Sequence, residues 1–76
     1  MKLQQAEKAL KAAGFKTTII DNDDSLVELY AEKNGICEIF YDCNVSGHCS
    51  TYICEFDGED QLIKYAEKSI RLGNSN

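Results

Sequence analysis

Asn34-Gly35 stands between two runs of apolar, β-branched and aromatic residues, 26–33 and 36–43. A two-residue Asn-Gly connection supplies positive φ at both central positions and matches the right-handed twist of two antiparallel strands. The dipeptide therefore predicts a hairpin and its register, with Lys33 opposite Ile36, Tyr30 opposite Ile39 and Leu29 opposite Phe40. A slip of one residue would turn every apolar side chain to the wrong face, so this turn constrains the whole middle of the chain.

Elements on either side follow from periodicity. Residues 2–14 read as a helix, because Leu3, Ala6, Leu10 and Ala13 recur at three- and four-residue spacings and Gly14 is a stop signal. Residues 15–20, with Thr17, Thr18, Ile19 and Ile20, read as a first strand. The run Asp21 to Ser25 is turn chemistry; it lacks the spaced ligands, glycine and final Glu of a calcium loop. Residues 44–48 form a loop with Gly47, and residues 49–56 read as a fourth strand ending at Asp57-Gly58. A closing helix over 59–72 turns Leu62, Ile63, Ala66 and Ile70 inward; Asp57 is a candidate cap for its start and Gly73 its stop. The expected fold is a single α+β domain spanning residues 1–76, in the order α-β-β-β-β-α. Its four strands form an antiparallel meander with both helices on one face, which needs no crossover.

Extending the register through a symmetric loop between Cys43 and Cys49 sets Phe40 opposite Tyr52 and Ile39 opposite Ile53. One sheet face then holds Val27, Leu29, Ala31, Ile36, Phe40, Tyr52, Cys54 and Phe56. The other holds Leu26, Tyr30, Cys37, Ile39, Tyr41, Cys43, Cys49 and Ile53. The bulkier first face is the expected core, and Glu38 on it needs an edge position, Lys33 or a helix lysine as partner. The second face mixes apolar and aromatic residues with Glu28, Glu32 and Glu55. Apolar area rimmed by charge marks interfaces, and tyrosine is enriched there.

Charge is unevenly spread. Residues 21–60 hold eleven Asp and Glu against Lys33 alone, whereas the segments on either side balance to +3 and +2. A net charge of −5 and a pI near 4.6 disfavour direct nucleic-acid binding and favour a partner with a basic surface. The first residues lead into an amphipathic pattern without an apolar run, so we expect no secretory signal, no membrane span and a cytoplasmic location. The four cysteines are then expected to be mostly reduced.

Cys37, Cys43, His48, Cys49 and Cys54 lie close together in sequence and raise the question of zinc. The spacing C-x5-C-x4-H-C-x4-C has no CxxC knuckle, and strand parity sets Cys54 opposite the other three. A site from Cys37, Cys43, Cys49 and His48 is the metal alternative, a Cys43–Cys49 disulfide the redox one, and packed reduced thiols the plain one. His48 and Cys49 are neighbours that a strand would point to opposite faces, and no phosphate loop is present. We therefore expect no catalysis, no metal and no cofactor.

The segment Ile39-Phe40-Tyr41-Asp42-Cys43 through Gly47-His48-Cys49-Ser50-Thr51-Tyr52, followed by an aromatic strand and a helix, resembles the YbjN-type family of bacterial sensory-transduction regulators. The resemblance covers about half the chain, and the family's domains are longer. Its fold is similar to that of type III secretion chaperones, which implies a regulator that dimerises or binds a bacterial protein. In size and charge the chain also resembles phage- and mobile-element-encoded inhibitors of host defence, including anti-CRISPR and anti-restriction proteins. That class likeness implies a basic nucleic-acid-binding complex as target.

The leading expectation is a non-enzymatic protein-binding inhibitor. Asp21, Asp23, Asp24, Glu28, Glu32, Glu55 and Asp57 would face a basic protein partner, and Tyr30, Ile39, Tyr41 and Ile53 would anchor it. The alternatives are a chaperone-like regulator that forms a homodimer or binds a bacterial protein, and a small Cys/His metal module.

Overall fold

The computed structural model describes residues 1–21, 27–43 and 51–74, the last four of these as backbone only. Within them the protein is α+β, with two helices and a three-stranded antiparallel sheet. Helix α1 spans Leu3–Ala12 and buries Leu3, Ala6 and Leu10 along one stripe. It ends as the glycine signal predicts: Gly14 takes φ +94°, its N–H bonds Lys11 O at 3.0 Å, and Phe15 N–H reaches back to Leu10 O at 3.0 Å. These paired bonds form a Schellman motif, which satisfies carbonyls the helix would otherwise leave open. Lys33 adds a third donor from across the fold. Its Nζ bonds Ala13 O at 3.3 Å and lies 5.1 Å from the centre of the Phe15 ring.

Strands β1 (Lys16–Asp21), β2 (Val27–Lys33) and β3 (Ile36–Tyr41) lie in the order β1-β2-β3. Asn34 and Gly35 have φ of 57° and 80°, both positive as the two-residue hairpin requires. The resulting register is the expected one: Lys33 opposite Ile36, Tyr30 opposite Ile39, Leu29 opposite Phe40. On the other side of β2, Ile19 pairs with Leu29 and Thr17 with Ala31.

Helix α2 (Glu59–Asn74) closes the fold. Gly58 O accepts its first helical bond from Leu62 N–H at 3.2 Å, and the Gln61 side chain accepts Asp57 N–H at 2.6 Å. Gly58, rather than Asp57, thus stands at the cap position. Both helices lie against one face of the sheet. There Leu29, Ala31 and Phe40 pack with Leu3, Ala6, Leu10, Phe15, Leu62, Ala66 and Ile70, all buried. Fully burying a side chain such as Leu29 or Phe40 contributes about 1.5–3 kcal/mol each. Among the described residues, no helix is long and apolar enough to cross a membrane.

The expected fourth strand is where structure and sequence part. Of residues 49–56 the structure describes 51–56. Tyr52 makes one isolated bridge, parallel to Tyr41, and Tyr41 N–H bonds Thr51 O at 3.0 Å. Ile53–Glu55 then winds into a single 3-10 turn. A parallel approach with this offset reverses the inside–outside parity of the segment. Ile53, expected on the open face, is fully buried in the core, while Cys54, expected inside, is exposed. The 3-10 turn resets the alternation, so Phe56 packs on the core after all, 5.9 Å from Phe40 and 5.3 Å from Tyr65 between ring centres.

Candidate functional site

The sheet face that the helices leave uncovered is built from three cross-strand rows. Lys16, Glu32 and Cys37 form the first, Thr18, Tyr30 and Ile39 the second, and Ile20, Glu28 and Tyr41 the third. Alternation along each strand sends these side chains away from the core, because their neighbours Leu29, Ala31 and Phe40 point into it. Thr18, Ile20, Glu32 and Cys37 are exposed, whereas Tyr30, Ile39 and Tyr41 are half-buried by one another and by their rows. Ile20, 39% exposed, is one of two large apolar residues this open to solvent among the described residues.

Within the face the polar groups are organised. The Tyr30 hydroxyl donates to Glu28 Oε2 at 2.9 Å. That bond, with some burial and the nearby Glu28 charge, raises the Tyr30 pKa above its ordinary value. Lys16 stands opposite Glu32, so the first row is nearly neutral, whereas the third row carries Glu28 beside two apolar neighbours. A depression of about 200 Å³ between Lys16, Thr18, Ile20, Tyr30, Glu32 and Cys37 gives the face a shallow relief. Burial, then the Glu32 and Glu38 charges, raise the Cys37 thiol above its usual range, which disfavours the reactive thiolate.

Tyr52 borders this surface, its ring 6.3 Å from that of Tyr41, and Glu55 Oε2 accepts Tyr52 N–H at 3.4 Å. Of the residues expected to meet a partner, Glu28, Tyr30, Glu32, Ile39 and Tyr41 therefore share one face, with Glu55 at its border. Asp21 is exposed at the end of β1, but it pairs with Val27, which packs on the core, so alternation sets it on the covered side rather than with the three rows. Asp57 is exposed but lines a depression with Glu59 and Asp60 at the start of α2, on the helix side of the molecule. Ile53 is removed from the set by its burial in the core. Asp23, Asp24, His48 and Cys49 lie outside the described residues, as do Leu26 and the 44–48 loop.

Sequence reading missed the contribution of β1, whose Thr18 and Ile20 widen the apolar part of the face. The stretch between residues 21 and 27 carries no dipeptide that names one turn type, so the sequence left the register of β1 on β2 open; the β-branched run Thr17 to Ile20 was the available hint. The metal alternative loses Cys37: it lies four residues, about 13 Å of strand, before the end of β3 at Tyr41, and Cys43 lies beyond that. Among the described residues no group of three or more His, Cys, Asp or Glu is placed to hold a metal ion. No protein family, no curated protein and no solved structure matches this sequence.

Proposed function

We propose that this domain is a non-enzymatic protein-binding inhibitor whose uncovered sheet face docks on a basic protein surface. The observation that carries the reading is that Ile20, Tyr30, Ile39 and Tyr41 share one face with Glu28 and Glu32 while both helices pack on the other. Tyrosine offers large, amphipathic contact area at low entropic cost, and such residues at the centre of a patch dominate binding energy. The carboxylates steer and orient the encounter more than they hold the complex. Glu55 at the border of the face extends the negative rim.

The class of partner follows from charge. A chain with a balance of −10 over residues 21–60 fits a surface rich in Lys and Arg, such as the nucleic-acid channel of a host defence complex. The test is capture from an extract of the encoding organism, with direct binding then measured on the purified partner. Wild-type chain should retain a partner that Tyr30→Ala/Tyr41→Ala releases faster. Glu28→Lys/Glu32→Lys should bind at a rate reduced by about tenfold or more at low salt, with the difference fading as salt rises. A partner held equally by all three chains, or an association rate flat in salt, would sink the proposal.

A further inference from the structure

Two cysteines that strand parity sets on opposite faces meet in the fold. Tyr41 and Tyr52 are bridged in parallel, so the two segments leave that point in the same direction. Cys43 and Cys54 each lie two residues beyond that bridge, Cys54 within the 3-10 turn. Both line a depression of about 510 Å³ beside Met1, Lys2 and Asp42. Cys54 is exposed to solvent and Cys43 is half-buried behind it.

We propose that Cys43 and Cys54 are a redox-active dithiol, oxidised to an intramolecular disulfide by small-molecule disulfides such as glutathione disulfide. The exposed Cys54 is the entry point. Its thiolate attacks one glutathione sulfur, forming a Cys54–glutathione mixed disulfide and expelling one glutathione thiolate. The Cys43 thiolate then attacks the Cys54 sulfur, forms the Cys43–Cys54 bond and expels the second. The two protons released by the cysteines are taken up by the two glutathione thiolates, so one disulfide is reduced as another forms. Burial, followed by the Cys54 contact, raises the Cys43 thiol above the usual cysteine range, which fits Cys43 as the resolving partner rather than the first nucleophile. The bond ties the end of β3 to the 3-10 turn that carries the buried Ile53, so the oxidised chain resists unfolding more than the reduced one.

The experiment treats the full chain with glutathione disulfide and maps its bonds by mass spectrometry of a non-reducing digest. The expected result is a loss of two hydrogens and a dominant Cys43–Cys54 cross-link, formed equally in Cys49→Ser and Cys37→Ser chains. The denaturant midpoint should rise on oxidation of the wild-type and Cys49→Ser chains and stay unchanged in Cys54→Ser. A cross-link mapping to Cys43–Cys49 overturns the proposal. So do Cys43 and Cys54 that remain thiols, or carry separate glutathiones, once Cys37 has reacted.

Discussion

The hydroxyl of Tyr30 and the carboxylate of Glu28 form a local pair whose protonation is coupled. A neutral phenol donates and an ionised one cannot, so the 2.9 Å bond holds the proton on Tyr30 above its ordinary pKa near 10. Because the folded-state value lies above the unfolded one, this stabilisation is fully present below about pH 10 and is lost as pH rises through the folded-state value. In an alkaline absorbance titration, the step that Tyr30→Phe removes should shift to lower pH in Glu28→Gln; an unmoved step would separate the two groups. Glu38 is a second instructive residue. Parity places it on the covered face, where a lysine is the natural partner to look for. Lys33 is instead engaged at Ala13 O and Phe15, and the donor to Glu38 Oε1 is the Tyr65 hydroxyl at 3.4 Å. Tyr65 also meets Thr51 Oγ1 at 3.4 Å and stacks edgewise on Phe40. Its 37% exposure explains why an inward stripe of Leu62, Ile63, Ala66 and Ile70 leaves it out. A tyrosine can be open at one side and still carry its polar tip to a half-buried acid.

At the scale of elements, the hairpin of β2 and β3 and the end of α1 were legible because single residues dictate them. Asn34 and Gly35 take the positive φ values their dipeptide implies, and Gly14 stops α1 where a side chain would be strained. Residues 51–56 were not legible in the same way. An apolar run that alternates fits an antiparallel strand, a parallel bridge or a short turn equally well, and each assigns a different side to Ile53. The bond from Tyr41 N–H to Thr51 O decides between them, and nothing local in the sequence announces it. The correction has a measurable consequence. Ile53→Ala should cost about 2–5 kcal/mol of unfolding free energy, as expected of a filled core position. Ile39→Ala, on the uncovered face, should cost about 1 kcal/mol or less. Chemical denaturation that ranks the two in the opposite order would return Ile53 to the surface.

On the scale of the molecule, the two helices that begin and end the described fold lie together. Gln5 Nε2 donates to Glu59 Oε1 at 3.2 Å although the two residues are 54 positions apart. The strands between them pair only with their sequence neighbours. The gathering of the platform residues was legible as an acidic stretch of chain, but its shape needed the fold, since Asp57 joins the helix side and Lys16 neutralises one corner of the sheet. The antiparallel sheet can assemble through short closures, whereas docking α2 on α1 must close a loop of more than fifty residues. Chain order thus becomes a timetable, in which the hairpin around Asn34 nucleates and the last helix settles late. Stopped-flow refolding should show Gly35→Ala slowing the folding limb, and Leu62→Ala chiefly hastening the unfolding limb. A nascent chain leaving the ribosome would accordingly carry its tyrosine face on the β2–β3 hairpin, with Phe40 of β3 bare behind it, until the sixteen-residue α2 arrives to cover it.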